Sequence, residues 1–394
     1  MERMYYYDSY KRSFTANVID ASFVNGYYEI ILDETYFYPE SGGQPADTGT
    51  IDGIKVENVI LKNNKVIHML KEIPKNKSVF CEIDWEKRFD NMQQHSGQHL
   101  LSAVFYKLYN AETESFSIGD DCSHITLTNN NLSESELAVA EEEANKIIYS
   151  NLPISTYFVD NKELAKLPLR KKPKVNENIR IVEIKDIDYS PCGGTHVKSL
   201  GEIGLIKIRN YEKSKKGIRI EFLCGLRAIK DYNVKNNCIN MLISLLSVKE
   251  DEILDKVNKL FLENKELKKE LNKMKENILL YEAEKLISES IDLKKYKLVT
   301  KTFNDRDLKE LRTLSQIVTK EKGIVCILCS ISKNANIVIS RSEDVNININ
   351  SFFNSVLDII DGNGGGNQKM CQGCGKVENI DRALEKAIDI ISNY

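Results

Sequence analysis

The chain runs to 394 residues, 42% hydrophobic and 29% charged, too long for one ordinary core and balanced like a globular chain of two or three domains. No stretch approaches the roughly 18 consecutive apolar residues of a membrane span, and the opening Met1-Glu2-Arg3-Met4-Tyr5-Tyr6-Tyr7 has no signal-peptide core, so a cytoplasmic chain with no membrane partner is expected. Nine cysteines, an odd number thinly spread, argue against a disulfide framework and for a reducing compartment. A net charge of −3 excludes a uniformly basic nucleic-acid binder, yet residues 161–230 carry 17 Lys/Arg against 8 Asp/Glu. Such a local excess suits either a phosphate-binding surface or a solvated face.

Residues 1–88 read as short strands. Apolar or alternating runs at 16–19 and 28–32 flank Asn25-Gly26, and those at 56–60 and 66–70 flank the hairpin signal Asn63-Asn64. Tyr38-Pro39-Glu40-Ser41-Gly42-Gly43-Gln44-Pro45 must be a loop. A small β-barrel fits. From Asn91 the apolar period becomes helical through Leu100, Leu101, Val104, Phe105 and Leu108. A second helix is expected over 133–150, with Ser133 or Ser135 as its N-cap. Strands are expected near 179–184, 204–208 and 218–223, making 89–231 an α+β domain. Residues 232–292 read as a helical linker. Ile253, Leu260, Leu267, Met274 and Tyr281 fit heptad position d, while Val257, Asn264, Leu271 and Ile278 fit position a. Residues 253–281 could thus form a homodimeric coiled coil or an amphipathic helix packed within one chain. Residues 293–394 read as a small α/β domain: strands at 323–329 and 336–340, a helix at 352–360, a flexible Gly-rich loop at 361–366 and a closing helix at 381–391. The expected class is multidomain α+β.

His95-Ser96-Gly97-Gln98-His99 sets two imidazoles four residues apart, on one face of a helix. Ser96 stands where a helix-borne protease base would be, so no such base is supplied. Cys192-Gly193-Gly194-Thr195-His196 follows Pro191 and favours a tight turn presenting a thiolate and an imidazole, ligand types zinc prefers. Only five histidines exist, and three fall in these clusters. One Zn2+ held by His95, His99, Cys192 and His196 is the expected cofactor. Four protein ligands fill a tetrahedral shell, so a closed structural zinc competes with a catalytic one unless the shell expands or one ligand is loose. His196 is the ligand expected to move. His68 and His124 are expected to be satisfied or exposed, and Gln98 to be a surface polar residue off the histidine face or a substrate contact. Cys326-Ile327-Leu328-Cys329 and Cys371-Gln372-Gly373-Cys374 invite a four-cysteine zinc reading. However, the first pair lies in a strand, where residues three apart face opposite sides, so buried thiols are expected there.

The combination resembles the editing region of alanyl-tRNA synthetases. Thr35-Tyr36-Phe37-Tyr38-Pro39-Glu40-Ser41-Gly42-Gly43-Gln44-Pro45-Ala46-Asp47-Thr48-Gly49 resembles the loop ahead of that core. The stretch 94–102 and the Cys192 to His196 motif resemble its two zinc motifs, and Gly217-Ile218-Arg219-Ile220-Glu221-Phe222 its closing strand. With the barrel opening the chain and no aminoacylation domain expected ahead of it, the whole resembles the free-standing AlaX-type editing proteins in their long form. The C-terminal part resembles the synthetase C-terminal domain also found in DHH-type phosphoesterases, although Cys371 and Cys374 stand among its expected small residues. The resemblance implies ester hydrolysis of tRNA(Ala) mischarged with serine, and of glycyl-tRNA(Ala) as a second substrate. It implies substrate contacts from Gly42, Gly43, Ser115, Ser117 and Thr195, with the metal ligands as the catalytic group. Related proteins carry His or Gln where Ser117 stands, and a tight-turn role serves Gly42-Gly43 equally well. The competing reading is a tRNA-binding module with a purely structural zinc. A phosphoesterase activity is disfavoured, because residues 295–394 contain no histidine.

Overall fold

The computed structural model describes residues 2–129, 131–171, 178–215 and 217–394, and the chain divides into two compact units, Met1–Leu245 and Leu246–Tyr394. Of the basic stretch 161–230, Lys172, Lys174 and Lys216 lie outside the described residues.

The first unit contains a closed barrel of β1 (Ser13–Val24), β2 (Tyr27–Leu32), β3 (Gly49–Ile51), β4 (Ile54–Lys62), β5 (Lys65–Leu70) and β6 (Ser78–Ile83), ordered β1-β2-β5-β4-β3-β6. Asn25-Gly26 and Asn63-Asn64 close two of its hairpins with all four residues at positive φ, the geometry that matches strand twist. Ile30, Leu32, Val56, Val59, Val66, Leu70, Val79 and Cys81 fill the interior. His68 is buried there between the Thr35 hydroxyl at 2.9 Å and the Ile30 carbonyl at 3.1 Å, a satisfied core histidine as expected.

Asp84 ends the barrel and caps α1 (Trp85–Tyr109), its carboxylate accepting from the Lys87 N–H. The helix therefore starts ahead of Asn91, and the expected domain break at 88/89 falls within its first turns. Buried residues run almost unbroken from Arg88 to Phe105 and include Asn91, Gln93, Gln94, Ser96, Gln98 and Ser102. A helix buried all round has no polar face to reveal its period. A four-stranded sheet, β12 (Ile206–Ser214), β13 (Gly217–Cys224), β8 (Ser123–Leu127) and β7 (Thr113–Ile118) in that order, shares a core with α1 and α2 (Glu134–Tyr149). Ser133 opens α2 with a capping box completed by Glu136. The unit also has a three-stranded sheet, β9 (Ile154–Val159), β10 (Ile179–Ile184) and β11 (Asp188–Pro191), and a short parallel pairing of Glu2–Arg3 with Glu34–Thr35. A methyl group at Gly97 would sit 2.2 Å from the Cys224 sulfur, so only glycine lets α1 lie this close to β13.

The helical stretch expected at 232–292 is two helices, α3 (Gly225–Leu246) and α4 (Ile253–Ser288). Ser247 at φ 51° breaks them apart, since a left-handed residue cannot continue a right-handed helix. In α4 only Ala283 and Leu286 are buried; Val257, Leu260, Leu267, Leu271, Met274, Ile278 and Tyr281 of the heptad seam are exposed.

The second unit is built on a six-stranded sheet: β14 (Ile291–Asp292), β15 (Lys297–Asn304), β16 (Ile324–Ile331), β17 (Ala335–Arg341), β18 (Asn363–Gly366) and β19 (Met370–Gly375), ordered β14-β15-β16-β17-β19-β18. β15 and β16 run parallel and the other pairs antiparallel. The loop expected at 361–366 is instead largely edge strand β18, Asn363 to Gly366 pairing with Cys374 to Cys371. Glycines suit that edge because a Cβ on Gly364 would fall 2.3 Å from the Gln372 carbonyl. Cys326 packs with Leu311 and Leu314 of α5 (Leu308–Val318) on one face. Cys329 packs with α6 (Asn350–Leu357) and α7 (Ile380–Ser392) on the other. The two thiols cannot chelate one ion, as the strand period requires.

Candidate metal centre

Helix α1 delivers His95 and His99 from one face, with ring centroids 5.3 Å apart. The turn after β11 delivers Cys192 and His196. The Cys192 sulfur stands 3.3 Å from His95 Nε2 and 3.4 Å from His196 Nε2, and one donor atom from each of the four residues lies within 4.8 Å of the others. Two ligands on one tetrahedral zinc, with bonds of about 2.0–2.3 Å, stand roughly 3.3–3.6 Å apart, and the two edges at Cys192 have that length.

The far nitrogens are held. His95 Nδ1 meets Gln44 Oε1 at 2.8 Å, His99 Nδ1 meets Asp188 Oδ2 at 3.1 Å, and His196 Nδ1 meets the Ser96 hydroxyl at 3.2 Å. Each bond fixes a ring orientation and leaves Nε2 facing the cluster, the support expected of ligating histidines. His99 Nε2 is buried without a hydrogen-bond partner, a costly position for a polar atom unless something occupies the space before it. The residues present fit a zinc ion on this observation and on their donor types. His196 is as firmly braced as the others, and the Ser96 hydroxyl also accepts the Val197 N–H at 3.1 Å. The geometry therefore does not single His196 out as the loose ligand.

The charge balance is local. Burial opposes ionisation of Cys192, but the His95 and His196 rings outweigh it and hold the thiol well below its ordinary value. Burial alone would depress His99; the Asp188 carboxylate and the neighbouring Cys192 together override it and hold the ring at about 9. Burial together with the facing His95 pushes His196 down to about 3.

Four supporting residues stand outside the two donor pairs. Gln44 reaches in from the Pro/Gly-punctuated loop, donating to Thr195 Oγ1 at 2.8 Å while its oxygen also accepts the Thr195 N–H at 3.1 Å. Asp188 is braced by Arg170 Nε at 3.1 Å and by the Ser190 hydroxyl at 2.8 Å. Arg180 donates to the Cys192 and Gly194 carbonyls at 3.0 and 2.8 Å and so clamps the turn. Arg88, fully buried, pairs with Asp47 and donates to the Ser9 and Tyr36 carbonyls, tying the Gln44 loop to α1. The spacing Asp188-x-Ser190-x-Cys192 on an extended strand was the available signal for Asp188, and Ser96, read only as a missing base, was the second.

The cluster lies at a cleft of about 760 Å3 lined by Tyr6, Tyr38, Phe116 and Phe158, with Arg3, Lys171 and Arg180 among its basic groups. Of the residues expected to touch substrate, Gly42 and Ser115 line it. Gly43, Ser117 and Thr195 do not. Gly43 sits at φ +86° with its Cα hydrogen space closed by the Phe116 carbonyl, 2.3 Å from any added Cβ. Ser117 pairs with His124 across the sheet, and Thr195 is buried and held by Gln44. Gln98, expected either at the surface or in contact with substrate, is buried, lines the cleft and donates to the Ser102 hydroxyl at 2.8 Å; the surface alternative is corrected.

Three family models match the chain: tRNA synthetases class II (A) over residues 9–87, the threonyl and alanyl tRNA synthetase second additional domain over 179–221, and the DHHA1 domain over 295–393. Barrel, histidine–cysteine centre and C-terminal sheet thus define a chain of the synthetase-editing type. Alanyl-tRNA editing protein AlaX-L of Pyrococcus horikoshii is 37% identical over 401 residues, spanning 98% of each chain. This chain belongs to the AlaX-type alanyl-tRNA editing protein family, in its long form. Alanyl-tRNA editing protein Aarsd1 of Mus musculus is 34% identical over 64% of this chain and 66% of its own length. The alanine–tRNA ligase of Pyrococcus abyssi is 28% identical over 98% of this chain and 43% of the ligase.

Proposed function

We propose that the chain hydrolyses the ester joining a wrong amino acid to the 3′ end of tRNA(Ala), with seryl-tRNA(Ala) as main substrate and glycyl-tRNA(Ala) as a second. The observation that carries this reading is the buried, unpartnered His99 Nε2 facing three other zinc-type donors beside an open cleft. A closed structural site would need no cleft. The cleft volume falls in the range of about 300–1,000 Å3 that takes a small-molecule-sized ligand such as an aminoacylated adenosine. Its aromatic walls suit base stacking and its basic groups suit the flanking phosphates.

His95, His99, Cys192 and His196 would hold one Zn2+, which supplies positive charge that can polarise a carbonyl or hold the substrate's amino group in line. Gln44, Asp188 and Ser96 fix the three rings, and Arg180 fixes the turn that carries Cys192. In the reaction water's hydroxyl passes to the ester carbonyl carbon and its remaining proton to the ribose oxygen that leaves. Selection against alanine is assigned to the wall formed by Gly42 and Ser115, where a serine hydroxyl can find a hydrogen bond. Such a site is useful because an apolar alanine pocket rejects an added hydroxyl weakly. Among the described residues no helix is long and apolar enough to cross a membrane, and a cytoplasmic site of action follows from the proposed substrate.

The test is a deacylation panel of Ser-, Gly- and Ala-tRNA(Ala) with the full chain. Serine release well above alanine release is expected, and Ser115→Ala is expected to narrow the difference. Tight tRNA binding with no deacylation of any of the three would instead support the tRNA-binding module with a structural zinc.

A further inference from the structure

The geometry points to a second zinc site, formed by Cys122, His124 and Glu221 on the sheet face turned away from the core. Along β8 the residues Ser123, Ile125 and Leu127 are buried, which places His124 on the opposite face, and Cys122, two residues earlier, lies on that side of the hairpin. Glu221 of β13 is the direct cross-strand partner of His124. His124 Nε2 stands 3.6 Å from the Cys122 sulfur and 3.5 Å from Glu221 Oε1.

The first is an ordinary nitrogen–sulfur contact and the second an ion-pair distance, so the three side chains already converge. Both match the edges of a tetrahedral zinc shell, roughly 3.3–3.6 Å for bonds of about 2.0–2.3 Å, and the sulfur–nitrogen spacing is close to the 3.3 and 3.4 Å found at Cys192. The three donor atoms lie within 4.8 Å of one another. Burial and the facing Glu221 carboxylate push the Cys122 thiol up, so a bound cation would have to displace its proton, and the sulfur and nitrogen donors favour zinc over magnesium or calcium.

The site is held from behind. The Gly119 N–H donates to the Cys122 carbonyl at 3.0 Å across the hairpin tip. Arg227, itself paired with Asp90, donates to the Gly119 carbonyl at 2.6 Å. None of the three ligands lines the cleft at the His95 cluster. Three protein ligands leave the fourth position to solvent, so this ion exchanges more readily than one gripped by four. It staples the β7–β8 hairpin to β13, and β7 carries Phe116, whose ring centroid is 5.0 Å from that of His95.

The experiment equilibrates the full chain with Zn2+, removes loose metal over a mild chelating resin and counts bound zinc by elemental analysis. Co2+ replacement provides a thiolate-to-cobalt absorption band for each cysteine ligand. Wild type is expected to hold two zinc ions. Cys122→Ser and Glu221→Gln are each expected to hold one, with Cys122→Ser also losing half the thiolate–cobalt absorption. The pair His95→Ala with His99→Ala removes the other ion and keeps this one. Glu221→Gln preserves shape, so circular dichroism matching wild type separates ligand loss from misfolding. A wild-type count of one, or a count of two retained by both Cys122→Ser and Glu221→Gln, overturns the assignment.

Discussion

Asp188 shows how a residue outside the donor set governs it. Its carboxylate orients the His99 ring and is itself held by Arg170 and Ser190. Replacing such a partner weakens metal affinity about 10–100-fold. Asp188→Asn is therefore expected to lower zinc affinity by that factor in a chelator competition while the fold persists. An unchanged affinity would contradict the assignment of Asp188 as a positioning residue. His68 makes a different prediction, remote from the centre. Burial, partly opposed by the Ile30 carbonyl, pushes its ring down to about 4, against an ordinary value near 6.5. Between those values the unfolded chain binds the extra proton and the folded chain does not. The contribution is thus fully present above about pH 6.5 and is lost as pH falls towards 4, with a slope of up to about 1.4 kcal/mol per pH unit. Denaturant melts of wild type and His68→Gln across pH 4–7 check it: the difference between the two should shift through this window and be flat above it.

Helix α1 does the work of three elements: it leaves the barrel, carries two donors and runs through the core. Its approach to β13 depends on Gly97. Adding a methyl beside the Cys224 sulfur, at 2.2 Å, is expected to cost about 1–3 kcal/mol in Gly97→Ala. Trimming the opposing side in Gly97→Ala with Cys224→Ala should recover part of that loss, and strictly additive losses in urea melts would show that the contact is not the cause. The same helix explains what was legible in sequence. His95 with His99, and Cys192 with His196, are local pairs whose spacing announces their chemistry. Gln44 and Asp188 lie 51 and 89 residues from the histidines they orient, so no local pattern joins them. Of the two readings open for Gln98, the surface one fails because a helix buried on nearly every side loses the amphipathic signal, and the bracing role of Ser96 had no local pattern to announce it. The barrel hairpins were legible through Asn25-Gly26 and Asn63-Asn64, whereas the glycines at 364–366 signal turn and edge strand alike, and only pairing with β19 decides between them.

For the whole chain, the exposed heptad seam of α4 is the main unassigned surface. Leu260, Leu267, Leu271, Met274 and Ile278 are exposed in the single chain, and their heptad spacing is what a homodimeric seam through 253–281 would need; on that reading the chain pairs with a second copy. Light scattering of the full chain is expected to give twice the chain mass, and Leu271→Glu with Ile278→Glu to return it to one; a monomer before any substitution would contradict the pairing. The account as a whole stands on the His95, His99, Cys192 and His196 centre acting in deacylation rather than in folding alone. The most direct measurement is the rate of seryl-tRNA(Ala) hydrolysis by the full chain before zinc removal, after it, and after zinc is restored, with bound metal and circular dichroism recorded on the same samples. The rate should fall by about 100-fold or more on removal and return with the metal while the fold is unchanged. A folded, metal-free chain that hydrolyses the ester at the original rate would contradict it.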